Sequence, residues 1–341
     1  MCRIISRHIF SLMLAMFALP LYAEPAVELV YQLKGSVAKV HVATKSGGHG
    51  VGTGVVVGKD LVATNCHILA NASGVNITKF GDSFTPVGLK ADWAHDLCIL
   101  RFQFLELKPV ELGDSEQLHY EQTMFSIGFP GGPPKPQTTY GKIKALYPLD
   151  DSSIIRTDAS FVMGASGSPV FDDTGKLIAI STFKSPGRGA YFYNIPVKWV
   201  KALLDAPEVT SLASNGTPFW DAPAELRPYF MQVVLPYQTG VWPELQRIAT
   251  DWVAKEPNTA EAHYYLGVAQ ANQGRDAQAM QAFQRALALQ SQHTGSLIAL
   301  GLLANKEGKV AEVARIHTAL KAIDADSSEE LTVKMNELKP Q

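Results

Sequence analysis

Charge is scarce in this chain. Of its 341 residues only 18% are Asp, Glu, Lys or Arg, and the formal charge is −2. A nucleic-acid binder normally carries a basic face or stripe, so that class is not expected. Cysteine is scarcer still: Cys2, Cys66 and Cys98 are the whole complement, with no CxxC and no Cys/His spacing of a zinc site. That excludes a disulfide framework and leaves no metal or other cofactor to expect. No apolar run reaches the about 20 residues that span a bilayer, so no stable membrane span is expected. Hydrophobic residues nevertheless make up 46%, ample core material for two ordinary domains.

The N-terminus has the composition of an export signal. Arg3 and Arg7 form a basic start, residues 9–19 are apolar, and Leu21-Tyr22-Ala23 ends on a small residue suited to cleavage. Pro20 interrupts the apolar run, which argues against a permanent anchor. Cleavage after Ala23 leaves 28 basic and 32 acidic residues, a charge of −4. Export permits a disulfide. For Cys66 and Cys98 the expectation is two buried thiols acting as small hydrophobes, with a bridge as the second reading, because sequence does not show their separation.

The chain then divides by periodicity. Residues 27–183 read as short β runs (37–43, 54–57, 96–102, 123–129 and 176–183) rich in Val, Ile, Thr and Phe. Turn signals such as Gly131-Gly132-Pro133-Pro134 and Asp172-Asp173-Thr174-Gly175 separate them. Short strands without long helices between them predict an all-β barrel or sandwich. A helix over 197–204 closes this half, and 206–223, rich in Pro, Ser and Gly, reads as a linker. Beyond it, Gly240, Gly274 and Gly308 recur every 34 residues with helical apolar patterns between them. In the unit 260–293, Leu266-Gly267 lets two helices approach, Gly274 makes the turn, and Ala279, Phe283 and Ala286 pack the second helix on the first. These are the positions and residue types of a tetratricopeptide repeat. The fold expected is therefore multi-domain: a signal peptide over 1–23, an all-β domain over 24–205, a linker over 206–224 and an all-α repeat array over 225–341. Residues 327–338 are the expected polar cap. Such an array offers a concave surface to a peptide or partner protein, or else serves as a spacer or packing platform.

Three segments of the β half carry chemistry: Thr64-Asn65-Cys66-His67, Asp96-Leu97-Cys98 and Gly164-Ala165-Ser166-Gly167-Ser168-Pro169. Singly each is ordinary. Together, in the order His, Asp, Ser, they supply what acyl transfer needs. A serine hydroxyl is a weak nucleophile and requires a base within reach. The base requires an acid that fixes its tautomer. The developing oxyanion requires backbone N–H donors, for which the amides of Gly164 and Ser166 are the candidates. An α/β-hydrolase is excluded by chain order. It would carry G-x-S-x-G followed by its acid and His, whereas position 168 is Ser and the later histidines, His263, His293 and His317, lie in the repeats. Gly47–Gly52 lacks the spacing of a nucleotide loop. His95 adjoins Asp96, but strand alternation points it the other way.

Residues 27–204 resemble trypsin-like peptidases, particularly the HtrA/Deg type of bacterial envelopes. The resemblance rests on 52–57 with 61–67, on 94–100, on Thr157-Asp158-Ala159 and on 164–169. It implies two six-stranded β-barrels with His67, Asp96 and Ser166 between them as catalytic triad. It implies a substrate pocket from Ser160, Phe161, Ser181, Thr182, Phe183 and Tyr193, suited to small or medium apolar side chains, with barrel core as the other reading of the aromatics. Protein or peptide substrates and a periplasmic or secreted location follow. Two departures stand out: Ser168 replaces a common Gly, and a tetratricopeptide array stands where the family usually has a PDZ domain. Ala165 replaces the Asp that binds a freed N-terminus in digestive proteases, so activation by that ion pair is not expected. The competing hypothesis is a catalytically degenerate protease fold serving as a protein-binding scaffold.

Overall fold

In the computed structural model the described residues are 25–187, 189–209 and 216–337. The expected signal segment lies outside them. Helix α1 (Val27–Lys34) leads into seven strands: β1 (Val37–Thr44), β2 (His49–Gly58), β3 (Leu61–Asn65), β4 (Ala72–Lys79), β5 (Asp82–Phe84), β6 (Gly88–Asp92) and β7 (Leu97–Arg101). They form one antiparallel sheet in the order β5-β4-β1-β2-β3-β7-β6. Its inner face carries Val40, Val42, Val56, Val62, Ile77 and Leu100, all buried. The β-branched residues that pattern these runs pack well on a pleated surface.

A second group follows: β8 (Thr123–Gly128), β9 (Gln137–Leu149), β10 (Ser152–Thr157), β11 (Pro169–Phe171), β12 (Leu177–Lys184) and β13 (Phe192–Pro196). These close into a six-stranded barrel, β10-β13-β12-β11-β8-β9. The expectation of two six-stranded barrels needs correcting. The short strand β5, pairing with β4 only through Ile77 to Lys79, makes the first sheet seven-stranded, and only the second sheet closes. Asp96, expected within a strand, sits just before β7 with φ +60°.

Helix α2 (Val197–Asp205) closes the β half. The helical half comprises α3 (Tyr229–Gln232), α4 (Val234–Thr239), α5 (Trp242–Lys255), α6 (Ala260–Ala271), α7 (Asp276–Leu289), α8 (Thr294–Lys306), α9 (Val310–Ile323) and α10 (Ala325–Glu337). Gly240, Gly274 and Gly308 follow α4, α6 and α8 with φ of 71°, 74° and 71°. A left-handed residue that stops a helix favours glycine, which is why the 34-residue period was visible as glycine. At Gly267 a Cβ would lie 2.7 Å from the Phe283 ring, so α6 and α7 approach through a missing side chain.

The two halves share one core. Tyr147 of β9 stacks on Phe230 of α3 with ring centroids 4.5 Å apart, and a single buried cluster runs from Val55 and Ile180 through Tyr193 to Trp252 and Tyr265. Buried and half-buried polar groups lie beside it. Arg156 of β10 donates to the Tyr147 hydroxyl (3.1 Å) and to the Lys144 carbonyl (3.2 Å), and lies over the Tyr191 ring. Tyr120 donates to Glu261 of α6 at 3.1 Å, and Thr294 donates to Glu121 at 2.9 Å. Burial opposes charge on Glu261, but the fields of His293 and Arg156 and the hydrogen bonds to it hold its carboxyl below the usual range. The segment read as a linker is not a free tether either. Val209 donates its amide to the Leu89 carbonyl, and Phe219 its amide to Ala94.

Candidate active site

His67 is presented by a 3-10 turn, Cys66–Leu69, that begins where β3 ends. The turn is held against the start of β7. Asn65 Nδ2 and the Cys66 amide both donate to the Asp96 carbonyl, at 3.0 and 3.2 Å. Cys66 and Cys98 are disulfide-bonded, with Cα atoms 4.9 Å apart. The expected pair of free thiols is corrected here: β3 and β7 run side by side, with Thr64 opposite Cys98, which brings the two sulfurs within bonding reach. Both cysteines are fully buried, one residue from His67 and two from Asp96.

The positive φ of Asp96, tolerated by Asp better than by most residues, turns its carboxylate back onto His67. Oδ1 accepts from the His67 amide at 2.8 Å and Oδ2 from His67 Nδ1 at 2.7 Å. Thr182 Oγ1 (2.6 Å) and Trp220 Nε1 (3.1 Å) also donate to Oδ2. The acid side chain is wholly buried while His67 keeps 29% of its side chain exposed. Donors on both oxygens satisfy this buried carboxylate. It also holds the proton of a neutral imidazole on Nδ1, which frees Nε2 to act as a base.

Ser166 lies in the loop between β10 and β11. Thr53 of β2, fully buried, ties that loop to the first sheet: its hydroxyl donates to the Gly164 carbonyl (2.8 Å) and its amide to the Ser166 carbonyl (2.8 Å). Gly164 and Gly167 have φ of 93° and 86°. A Cβ on Gly164 would strike the Phe129 carbonyl, and one on Gly167 the Thr53 carbonyl, so both positions demand glycine. Among the described residues the amides of Gly164 and Ser166 meet no protein acceptor, whereas Ala165 donates to Val162, Gly167 to Ser181 and Ser168 to Ala165. Two unpaired N–H groups thus flank the hydroxyl, as oxyanion stabilisation requires. Ser166 Oγ itself contacts the Thr182 carbonyl at 3.5 Å and makes no hydrogen bond to His67. Such bonds are often long in a resting site and tighten when substrate binds.

Of the expected substrate-binding residues, Ser160, Phe161 and Ser181 line one small cavity beside the nucleophile loop, together with Ala165, Ser168 and Asn194. The others need correction. Tyr193 is fully buried and stacks on Phe183 at 4.6 Å, within the core that joins the two halves. Thr182 is buried with its hydroxyl on Asp96. Residues in strand β12 and β13 alternate between the cavity and this core, and the sequence pattern alone did not reveal the register. His95 is set apart from the pair, between Asp92 (2.6 Å) and Asp150 (2.9 Å) and stacked on Trp199 at 3.7 Å. Burial works against its charge, but the two carboxylates outweigh that and raise its pKa. It is a structural histidine. No cluster of His, Cys, Asp and Glu suited to a metal occurs among the described residues.

Thr53 and Trp220 were not anticipated. Thr53 sits in a Gly-rich strand where any β-former would read alike, and Trp220 lies in the segment taken for a linker.

Comparison with known proteins agrees with this geometry. The β half and the helical half each resemble a known family. Residues 52–180 match the family model of the trypsin-like peptidase domain, and residues 245–337 that of the cilia and flagella-associated protein 70 middle TPR-like domain. The peptidase domain has homologues of the HtrA/Deg type. A probable periplasmic serine endoprotease DegP-like of Chlamydia muridarum is 26% identical over 305 residues, covering 85% of this chain and 58% of the relative. Protease Do-like 1, chloroplastic, of Arabidopsis thaliana is 32% identical over 173 residues, covering 46% and 39%. The chain therefore spans 58% and 39% of the length of these two relatives. The Rv3671c protease of M. tuberculosis in its active form superposes with a TM-score of 0.50 at 20% identity, over 56% of this chain and 92% of that one, and shares its fold.

Proposed function

We propose that this chain is a serine endopeptidase that cleaves peptide bonds in proteins through an acyl-enzyme. Ser166 Oγ attacks the scissile carbonyl while His67 Nε2 takes its proton. Asp96 stabilises the resulting imidazolium, and the amides of Gly164 and Ser166 hold the oxyanion. His67 then returns the proton to the leaving amine, and water releases the acyl group by the same steps. The observation that carries this reading is the buried Asp96 carboxylate on His67 Nδ1 at 2.7 Å. The cavity beside the loop has no charged residue in its lining, which supports preference for a small or medium uncharged side chain before the scissile bond. The serine endoprotease names of the relatives support the same activity, and their periplasmic designation supports export of this chain.

The repeat array supplies a groove for substrate or partner protein. Tyr237, Trp242, Tyr264, Asn272 and Lys306 line it, together with Tyr120 and Arg156 of the β half. Hydrolysis of an unfolded protein such as reduced casein, compared with the Ser166→Ala and His67→Ala variants, tests the reading. Cleavage by the native chain, and its loss in both variants, is expected. Equal behaviour of all three would favour the degenerate scaffold.

A further inference from the structure

Trp220 touches the His67–Asp96 pair from a part of the chain that contributes nothing else to the site. Its indole Nε1 donates to Asp96 Oδ2 at 3.1 Å, the same oxygen that receives His67 Nδ1 and Thr182 Oγ1. Its ring meets the imidazole edge-on, with centroids 5.4 Å apart and planes at 90°. The other side of the ring stacks on Phe183 at 5.6 Å and 22°. The residue is firmly placed. The neighbouring Phe219 amide bonds to the Ala94 carbonyl two residues before Asp96, and the Phe219 ring packs on Phe183 and Phe230. Phe230 belongs to α3, at the start of the helical half.

We infer that Trp220 is a positioning residue for this pair, supplied by the segment that joins the two halves; the inference rests on the peptidase reading. Three donors converging on Oδ2 fix the plane of the carboxylate, and a buried carboxylate with a missing donor is both costlier and freer to turn. The indole adds a second constraint, because an edge-on ring limits how far the imidazole swings from the line toward Ser166. The chemistry therefore depends on a residue outside the segment that matches the peptidase family, which ends at residue 180.

Trp220→Phe is the discriminating variant: it keeps an aromatic ring against Phe183 and removes the N–H, at the cost of part of the indole's volume. It should lower kcat for peptide hydrolysis roughly ten- to a hundredfold, the worth of one hydrogen bond to a charged acceptor, with KM and the thermal midpoint little changed. Labelling by a small fluorophosphonate should slow by the same factor, since that probe needs the pair but no extended peptide contacts. Trp220→Ala should fall further. A Trp220→Phe chain that turns over at the native rate overturns the inference. So does a Trp220→Ala chain that is faster than native, which would make the indole a plug. One arm needs no turnover: the chain has five tryptophans, and the indole N–H resonance assigned by Trp220→Phe should move on Asp96→Asn. An unmoved resonance also overturns the inference. A native chain that no probe labels sinks the peptidase reading and with it a catalytic role for Trp220, and is told apart by a resonance that still answers to Asp96→Asn.

Discussion

At the scale of single residues, the site depends on backbone shapes that few side chains tolerate. Gly167, at φ +86° with a carbonyl where its Cβ would sit, is the sharpest case. Gly167→Ala should cost about 2–4 kcal/mol of stability by urea unfolding and abolish probe labelling, because the loop must move to relieve the clash. Lys79 offers a different test. It is buried, it donates to the Lys34 and Val37 carbonyls, and burial lowers its pKa from 10.5 to about 8. Between those values the unfolded chain binds the extra proton, so stability rises with pH from about 8 toward 10, by up to about 3 kcal/mol. Below pH 8 both states carry the charge and the contribution is flat. Above about pH 10 the buried tyrosines, whose pKa values burial raises, act in the opposite sense. Unfolding midpoints at pH 7.5 and 9.5 should show the rise in the native chain and its absence in Lys79→Met.

At the scale of elements, the His67 turn and the Asp96 strand are joined twice, by hydrogen bonds to the Asp96 carbonyl and by the Cys66–Cys98 bridge. The bridge closes a 32-residue separation, so the Cys66→Ala/Cys98→Ala chain should lose about 3–4 kcal/mol and be inactivated at a lower temperature. Unchanged thermal inactivation would mean that the ladder between β3 and β7 suffices. Most of these elements were legible in the sequence because each follows from a local signal: Val/Ile runs for β1, β7 and β12, glycine stops for α4, α6 and α8. The His67–Asp96 pair was legible because the residues flanking each are distinctive. The disulfide, the seventh strand β5 and the burial of Tyr193 were not, since each depends on which strands lie side by side, and periodicity carries no information about neighbours. Trp220 was hidden for the same reason: a Pro- and Ser-rich stretch signals irregular backbone, not where that backbone goes.

At the scale of the whole molecule, the β half and the helical half are not beads on a string. Phe230 and Trp252 of the helical half lie in the same buried cluster as Tyr147 and Tyr193 of the barrel, with Glu261 buried and Arg156 half-buried alongside. Calorimetry should therefore show one cooperative transition over the β half and the first repeat, and Phe230→Ala should lower it by about 3–5 kcal/mol. Two transitions, with only the helical one moved by Phe230→Ala, would show that the halves unfold independently.

The central claim is that Ser166 is a nucleophile activated by His67. Its most direct test is to treat the native chain with a fluorophosphonate, digest it, and locate the adduct by mass spectrometry. The account predicts a single stoichiometric adduct on Ser166, absent from His67→Ala. A folded chain that stays unmodified, or one modified equally well without His67, would contradict it.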